Sequence, residues 1–125
     1  MDPYSVFDFI RQKSIDKQIP FYIFENSENF ILPVDDSFIC LIFIYTGKGN
    51  NHLVVYSKVY SFLEFFCLNG LKPIHYKLPK SSNIFPIAMQ RYSSKLCAIG
   101  SIVYILWKFC HLSSDSMCDY FFFNC

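Results

Sequence analysis

Ser93-Ser94-Lys95-Leu96-Cys97-Ala98-Ile99-Gly100-Ser101-Ile102-Val103-Tyr104-Ile105-Leu106-Trp107-Lys108-Phe109-Cys110 is the stretch on which the fold turns. After its adjacent serines it is nearly unbroken apolar sequence, with Lys108 the one charge beyond Lys95, so it reads as a helix buried on most sides. Cys97 falls in the first turn of that helix. Unpaired backbone N–H groups and the positive end of the helix dipole would favour a thiolate there, the form in which a cysteine attacks. Gln90 lies seven residues upstream, close enough to offer an amide N–H to a developing oxyanion. Read alone, a cysteine opening a buried helix is a small core residue before it is a nucleophile.

The chain around this helix is 125 residues long, enough for one domain with a core of its own. Hydrophobic residues make up 53% and aromatics 20%, including 15 Phe and 9 Tyr, which excludes disorder and favours strands. The formal net charge is +1 with no block of like charge, so the broad footprint of a nucleic-acid binder is absent. The aromatics are not interleaved with Lys and Arg, which assigns them to a core and not to base stacking. The N-terminal segment carries Asp2, Asp8 and Arg11 in a helical pattern, unlike a secretory signal, and the longest apolar run is too short for a bilayer. These features predict an intracellular protein without a membrane partner.

Working outward, Asp2-Pro3 opens a first helix that ends before Pro20. Phe21–Phe24 reads as a short strand followed by a polar turn, Glu25–Asn29. Phe38–Tyr45 is continuous β-branched, aromatic and aliphatic sequence, the expected centre of a sheet covered on both faces. Gly47–Asn51 is a hairpin turn, and His52 then opens a strand to Tyr56. Ser57-Lys58 reads as a turn into a strand over Val59–Phe66, Pro73–Leu78 as an edge strand, and Ile84–Met89 as an extended piece delivering Gln90. Glu64 is expected to be solvated. Six cysteines form no Cys-x-x-Cys pair and are expected as reduced thiols, with Cys40 and Cys110 in the core. Cys110, His111, Cys118 and Cys125 match no usual zinc-ligand spacing, and no metal or other cofactor is expected. His75 and His111 read as structural.

A first helix, a Phe-rich strand, a hydrophobic strand with a Gly-containing turn, a His, and then Gln-x6-Cys opening a long apolar helix follow one another along this chain. That order resembles the adenain-like cysteine endopeptidases, the maturation proteases of adenoviruses and of related double-stranded DNA viruses and transposons. The resemblance is collinear over most of the chain. It implies a single α+β domain at 1–125, with a shortened C-terminal region. The expected architecture is a mixed β-sheet of about five strands packed on a central buried helix, with an N-terminal flanking helix, the adenain/papain-like core.

It also implies Cys97 as nucleophile, His52 as general base and Gln90 as oxyanion donor. The imidazole-orienting residue is open between Asn69, Cys67 and Glu64. Counting back from Gly70 selects Cys67, and counting forward from His52 selects Asn69, which is favoured because an amide oxygen accepts from imidazole better than a thiol does. The family usually has Trp where Leu53 stands and Gly where Ala98 stands. Peptide or protein substrates, a viral capsid precursor or an activating peptide, and DNA are partners that the resemblance implies, as are a location in the host nucleus or cytoplasm and in the virion. A non-catalytic relative with a binding or capsid-associated role is one rival. Another is a deubiquitinase or deSUMOylase of the same clan, which shares the His…Asp/Asn…Gln…Cys order and usually carries His-Trp and an Asp.

Overall fold

The computed structural model describes residues 3–12, 17–45, 51–81, 83–85 and 94–109. The chain is α+β: α1 (Pro3–Gln12), β1 (Phe21–Phe24), β2 (Phe38–Tyr45), β3 (Asn51–Val59), β4 (Phe62–Phe66), β5 (Asn83–Ile84) and α2 (Ser94–Phe109). Short 3₁₀ helices cover Ser27–Asn29 and Pro73–Tyr76. The strands form one mixed sheet in the order β1-β2-β3-β4-β5, with β2-β3-β4 antiparallel and both outer strands parallel to their neighbours. Among the described residues, no helix is long and apolar enough to cross a membrane.

The unbroken apolar character of β2 follows from its position between two clusters. Ile39 and Leu41 join Leu53, Val55, Phe66 and Leu68 under α1 and α2, through Ile10, Val103, Tyr104 and Ile105. Phe38, Cys40, Ile42 and Ile44 join Val54, Tyr56, Phe65 and Cys67 on the other face. Alternation along each strand thus sorts odd and even residues to opposite layers. That second layer is closed by Leu78, Phe30, Leu32 and Tyr76, supplied by the segments after β1 and β4.

Several expectations are corrected here. The middle strand is β3, and β2 lies beside it. Ser57-Lys58 does not turn: it continues β3, because Ser57 is fully buried and bonded to Tyr104 of α2. The chain turns at Tyr60-Ser61, both at positive φ (47° and 72°), a two-residue hairpin whose residues do not announce it. Pro73–Leu78 is no edge strand. Pro73 starts a 3₁₀ helix, for which its fixed φ is suited, and Lys77 ends it in the left-handed region. The place of a fifth strand is taken by Asn83–Ile84 beside β4. Residues 46–50, which hold most of the glycine-asparagine turn, and Cys110, His111, Cys118 and Cys125 lie outside the described residues.

Candidate functional site

His52 is the second residue of β3 and pairs with Ile44. Strand alternation puts it on the face of Val54 and Tyr56, where its half-buried ring lies 5.6 Å from the Tyr76 ring at an interplanar angle of 51°. Tyr76 reaches that place because the segment after β4 folds back over the sheet. Pro73 and Leu78 are buried there, Leu78 N–H donates to the Pro73 carbonyl, and the Tyr56 hydroxyl donates to the Pro79 carbonyl. The Tyr76 Oη lies 3.2 Å from Cys67 Sγ. Burial pushes the His52 pKa below the ordinary histidine value, since removing water disfavours imidazolium. A neutral imidazole is the form that accepts a proton.

Asn69 lies in the turn that closes β4, where Gly70 N–H donates to the Cys67 carbonyl over 2.9 Å and Gly70 takes φ 73°. The β3-β4 register ends at Val55 opposite Phe66, and three further rungs of it would fall on His52 and Asn69. The Asn69 Oδ1 is buried and meets no donor among the described residues. Cys67 is buried beside this turn.

Glu64 is excluded as an imidazole partner and is not solvated. It lies on the opposite face, accepts from the Tyr104 hydroxyl and holds Lys108 Nζ at 3.0 Å. Glu64 is the one charge of β4, and Lys108 is the one charge of opposite sign in the apolar run of α2 after its first turn, which is the signal for this pair.

These contacts also fix the direction of α2. Tyr104 stacks on Phe66 at 4.5 Å and meets Ser57, whereas Lys108, one turn on, meets Glu64 and lies 5.3 Å over the Phe62 ring. Ser57 and Glu64 face each other across the ladder, and Phe62 is nearer the hairpin. The helix therefore runs in the same sense as β3, and its first turn lies toward the end where β3 begins and β4 finishes. Cys97, the fourth residue of α2, is seven residues before Tyr104, or about 10 Å along a helix axis at roughly 1.5 Å per residue. His52 precedes Ser57 by five residues, or about 17 Å of strand at roughly 3.3 Å each.

Cys97 and His52 thus belong to elements that start at one end of the sheet. The helix, however, covers the Leu53 and Val55 face, and His52 lies on the other. A thiol of α2 would meet this imidazole around the end of the sheet, not within the layer between sheet and helix. The Cys97 side chain and all of Gln90 lie outside the described residues. Tyr76, which sequence reasoning put in an edge strand, is the neighbour of His52 that it missed. No family model, no curated protein and no solved structure matches this chain.

Proposed function

We propose that the chain is a cysteine endopeptidase domain of the adenain-like kind, with Cys97 as nucleophile and His52 as general base. The single observation that supports it is the convergence of the start of β3, the end of β4 and the first turn of α2 at one end of the sheet. The lowered pKa of His52 suits a base that must be neutral before it acts.

In this mechanism His52 removes the Cys97 Sγ proton and the thiolate attacks the scissile carbonyl carbon. Gln90 and the Cys97 backbone N–H hold the oxyanion. The imidazolium returns its proton to the leaving amine as the C–N bond breaks, leaving a thioester. Water, deprotonated by His52, then hydrolyses the thioester and restores the thiol. Asn69, which falls opposite His52 if the β3-β4 register is continued, is the orienting residue in this reading, with an amide oxygen that meets no donor among the described residues. By resemblance, the substrates are virion structural precursors, cleaved inside the host cell or the particle.

A second reading, a non-catalytic relative that binds a partner, is favoured by the side of the sheet on which His52 lies. The Cys67 thiol beside Tyr76, in a slot the family fills with a carboxylate or amide, adds to it.

Labelling with a peptide bearing a thiol-reactive electrophile separates the two. The peptidase reading expects Cys97 to label ahead of the other five thiols, with the rate falling about 100-fold or more in His52→Ala, the scale of general-base assistance. Labelling of Cys97 no faster than that of Cys110 or Cys118 overturns it in favour of the binding role.

A further inference from the structure

The geometry points to Tyr76 as the positioning residue of His52, its ring forming the wall that fixes the imidazole plane and shields it from water. This rests on the reading of His52 as the general base. Three observations on different elements support it. The two rings are in contact at 5.6 Å. Tyr76 is itself held from two sides, by its hydroxyl at 3.2 Å from Cys67 Sγ and by the 3₁₀ helix that Pro73 opens and Lys77 closes. Its layer is packed, with Leu78, Cys67 and Val54 buried around it, so the ring has little room to turn away.

The groups that surround the imidazole are consistent with this role. Among the described residues, Ile44 of β2 pairs with His52, and from the segment after β4 the Tyr76 ring meets the imidazole while its hydroxyl lies against the Cys67 thiol. Glu64, the one carboxylate of β4, lies on the other face of the sheet, and the Tyr76 ring covers the imidazole on this one. Tyr76 therefore acts through His52: it keeps the ring neutral and its plane constant. A carboxylate orienter would instead favour the protonated form.

The test is an NMR titration of the three imidazoles in the full chain, with His52→Gln used to assign the His52 resonances. In the wild type, an NOE between the His52 ring protons and the Tyr76 ring protons is expected. In Tyr76→Leu the His52 midpoint should rise toward the ordinary histidine value. Tyr76→Phe, which keeps the ring but loses its hold on Cys67, should move the midpoint less than Tyr76→Leu does. Val103→Ala, a destabilising change in the layer on the other face of the sheet, should lower the thermal midpoint without moving the His52 titration, which separates positioning from a general loss of stability.

An unchanged His52 midpoint in folded Tyr76→Leu overturns the inference, and so does Tyr76→Phe shifting as far as Tyr76→Leu. Should Tyr76→Leu fail to fold, the wild-type NOE decides alone, its absence counting against. These readouts do not require activity. Failure of His52-dependent labelling of Cys97 would sink the peptidase reading and leave the titration intact. Normal labelling with an unmoved titration would sink only the role of Tyr76.

Discussion

Lys108 Nζ lies 3.0 Å from Glu64 Oε1, joining the last turn of α2 to β4 with side chains only 14% and 12% exposed. Tyr104 donates to the same carboxylate and shares a 2.8 Å hydrogen bond with Ser57, so one carboxylate gathers a strand and two turns of the helix. Removing one partner of such a pair strands a charge, and a largely buried orphan costs up to about 3–5 kcal/mol. Residual exposure lowers that figure, so Glu64→Ala and Lys108→Met are each expected to cost about 1–3 kcal/mol in urea unfolding. The double variant should cost clearly less than the sum. Additive losses would show that the two groups do not interact.

The hydroxyl of Tyr104 is held by burial and by Glu64 in its protonated, donating form, its pKa pushed well above that of a free tyrosine. Tyr104→Phe keeps the stack on Phe66 but leaves Glu64 and Ser57 each short of a buried partner. The expected loss is about 1–3 kcal/mol, and it should fall when Ser57→Ala is added, because a second orphan is removed.

The acid side of the stability curve carries a contribution from His52. Its folded pKa is lowered, so as pH falls through the ordinary histidine range the unfolded chain takes a proton before the folded one does. Stability is therefore lost over that window, and the loss is complete below the folded pKa. His52→Gln has no such proton to bind. Its urea midpoint is expected to drop less between neutral pH and pH ~5, close below the ordinary histidine value, than that of the wild type. Parallel curves would contradict this account.

The Tyr60-Ser61 hairpin places two side-chain-bearing residues at φ 47° and 72°, a region that costs an ordinary L-residue about 1 kcal/mol. Ser61 N–H reaches the Asp36 carbonyl at 3.3 Å and Tyr60 N–H the Ser37 hydroxyl at 3.2 Å, contacts a new side chain need not disturb. The variant Tyr60→Asn, Ser61→Gly installs the pair this turn prefers and is expected to gain about 0.5–1 kcal/mol. A loss would mean that the native side chains contribute more than the backbone strain removes.

Cys40 is fully buried and its thiol pKa is raised by burial, with Asp35 adding to the effect. Iodoacetamide should leave it unmodified in the native protein and alkylate it in urea, as read by peptide mass spectrometry. Native-state alkylation at Cys40 would mean that β2 opens far more readily than its packing implies.

Much of the architecture is legible along the chain. The bounds of β1 and β2 coincide with their apolar runs, and the apolar helix emerges over Ser94–Phe109, because long runs in buried elements leave little choice of period. The failures share another cause. Ser57 and Glu64 look like surface residues until Tyr104 and Lys108 arrive from forty or more positions away to bond them. Tyr60 and Ser61 make a turn without glycine because contacts from Asp36 and Ser37 hold it. Tyr76 was misplaced for a local reason: Ile74, His75 and Tyr76 resemble a strand, but Pro73 before them and Lys77 after them fix a 3₁₀ helix. Of the site, the start of β3 and the first turn of α2 could be found by residue order. The side to which His52 points required the strand register.

The order of strands along the sheet implies an order of assembly. β2, β3 and β4 are neighbours in the chain and can zip up through successive hairpins, whereas β1 and β5 must each arrive by a longer excursion to lie parallel to a partner. Loop closure then makes the flanks, and α2 after them, the late arrivals. Conservative truncations at Val54 and Phe65 should slow refolding, whereas those at Ile23 and Val103 should mainly hasten unfolding. The meander would exist as a nucleus before the proposed nucleophile's helix has anything to dock on.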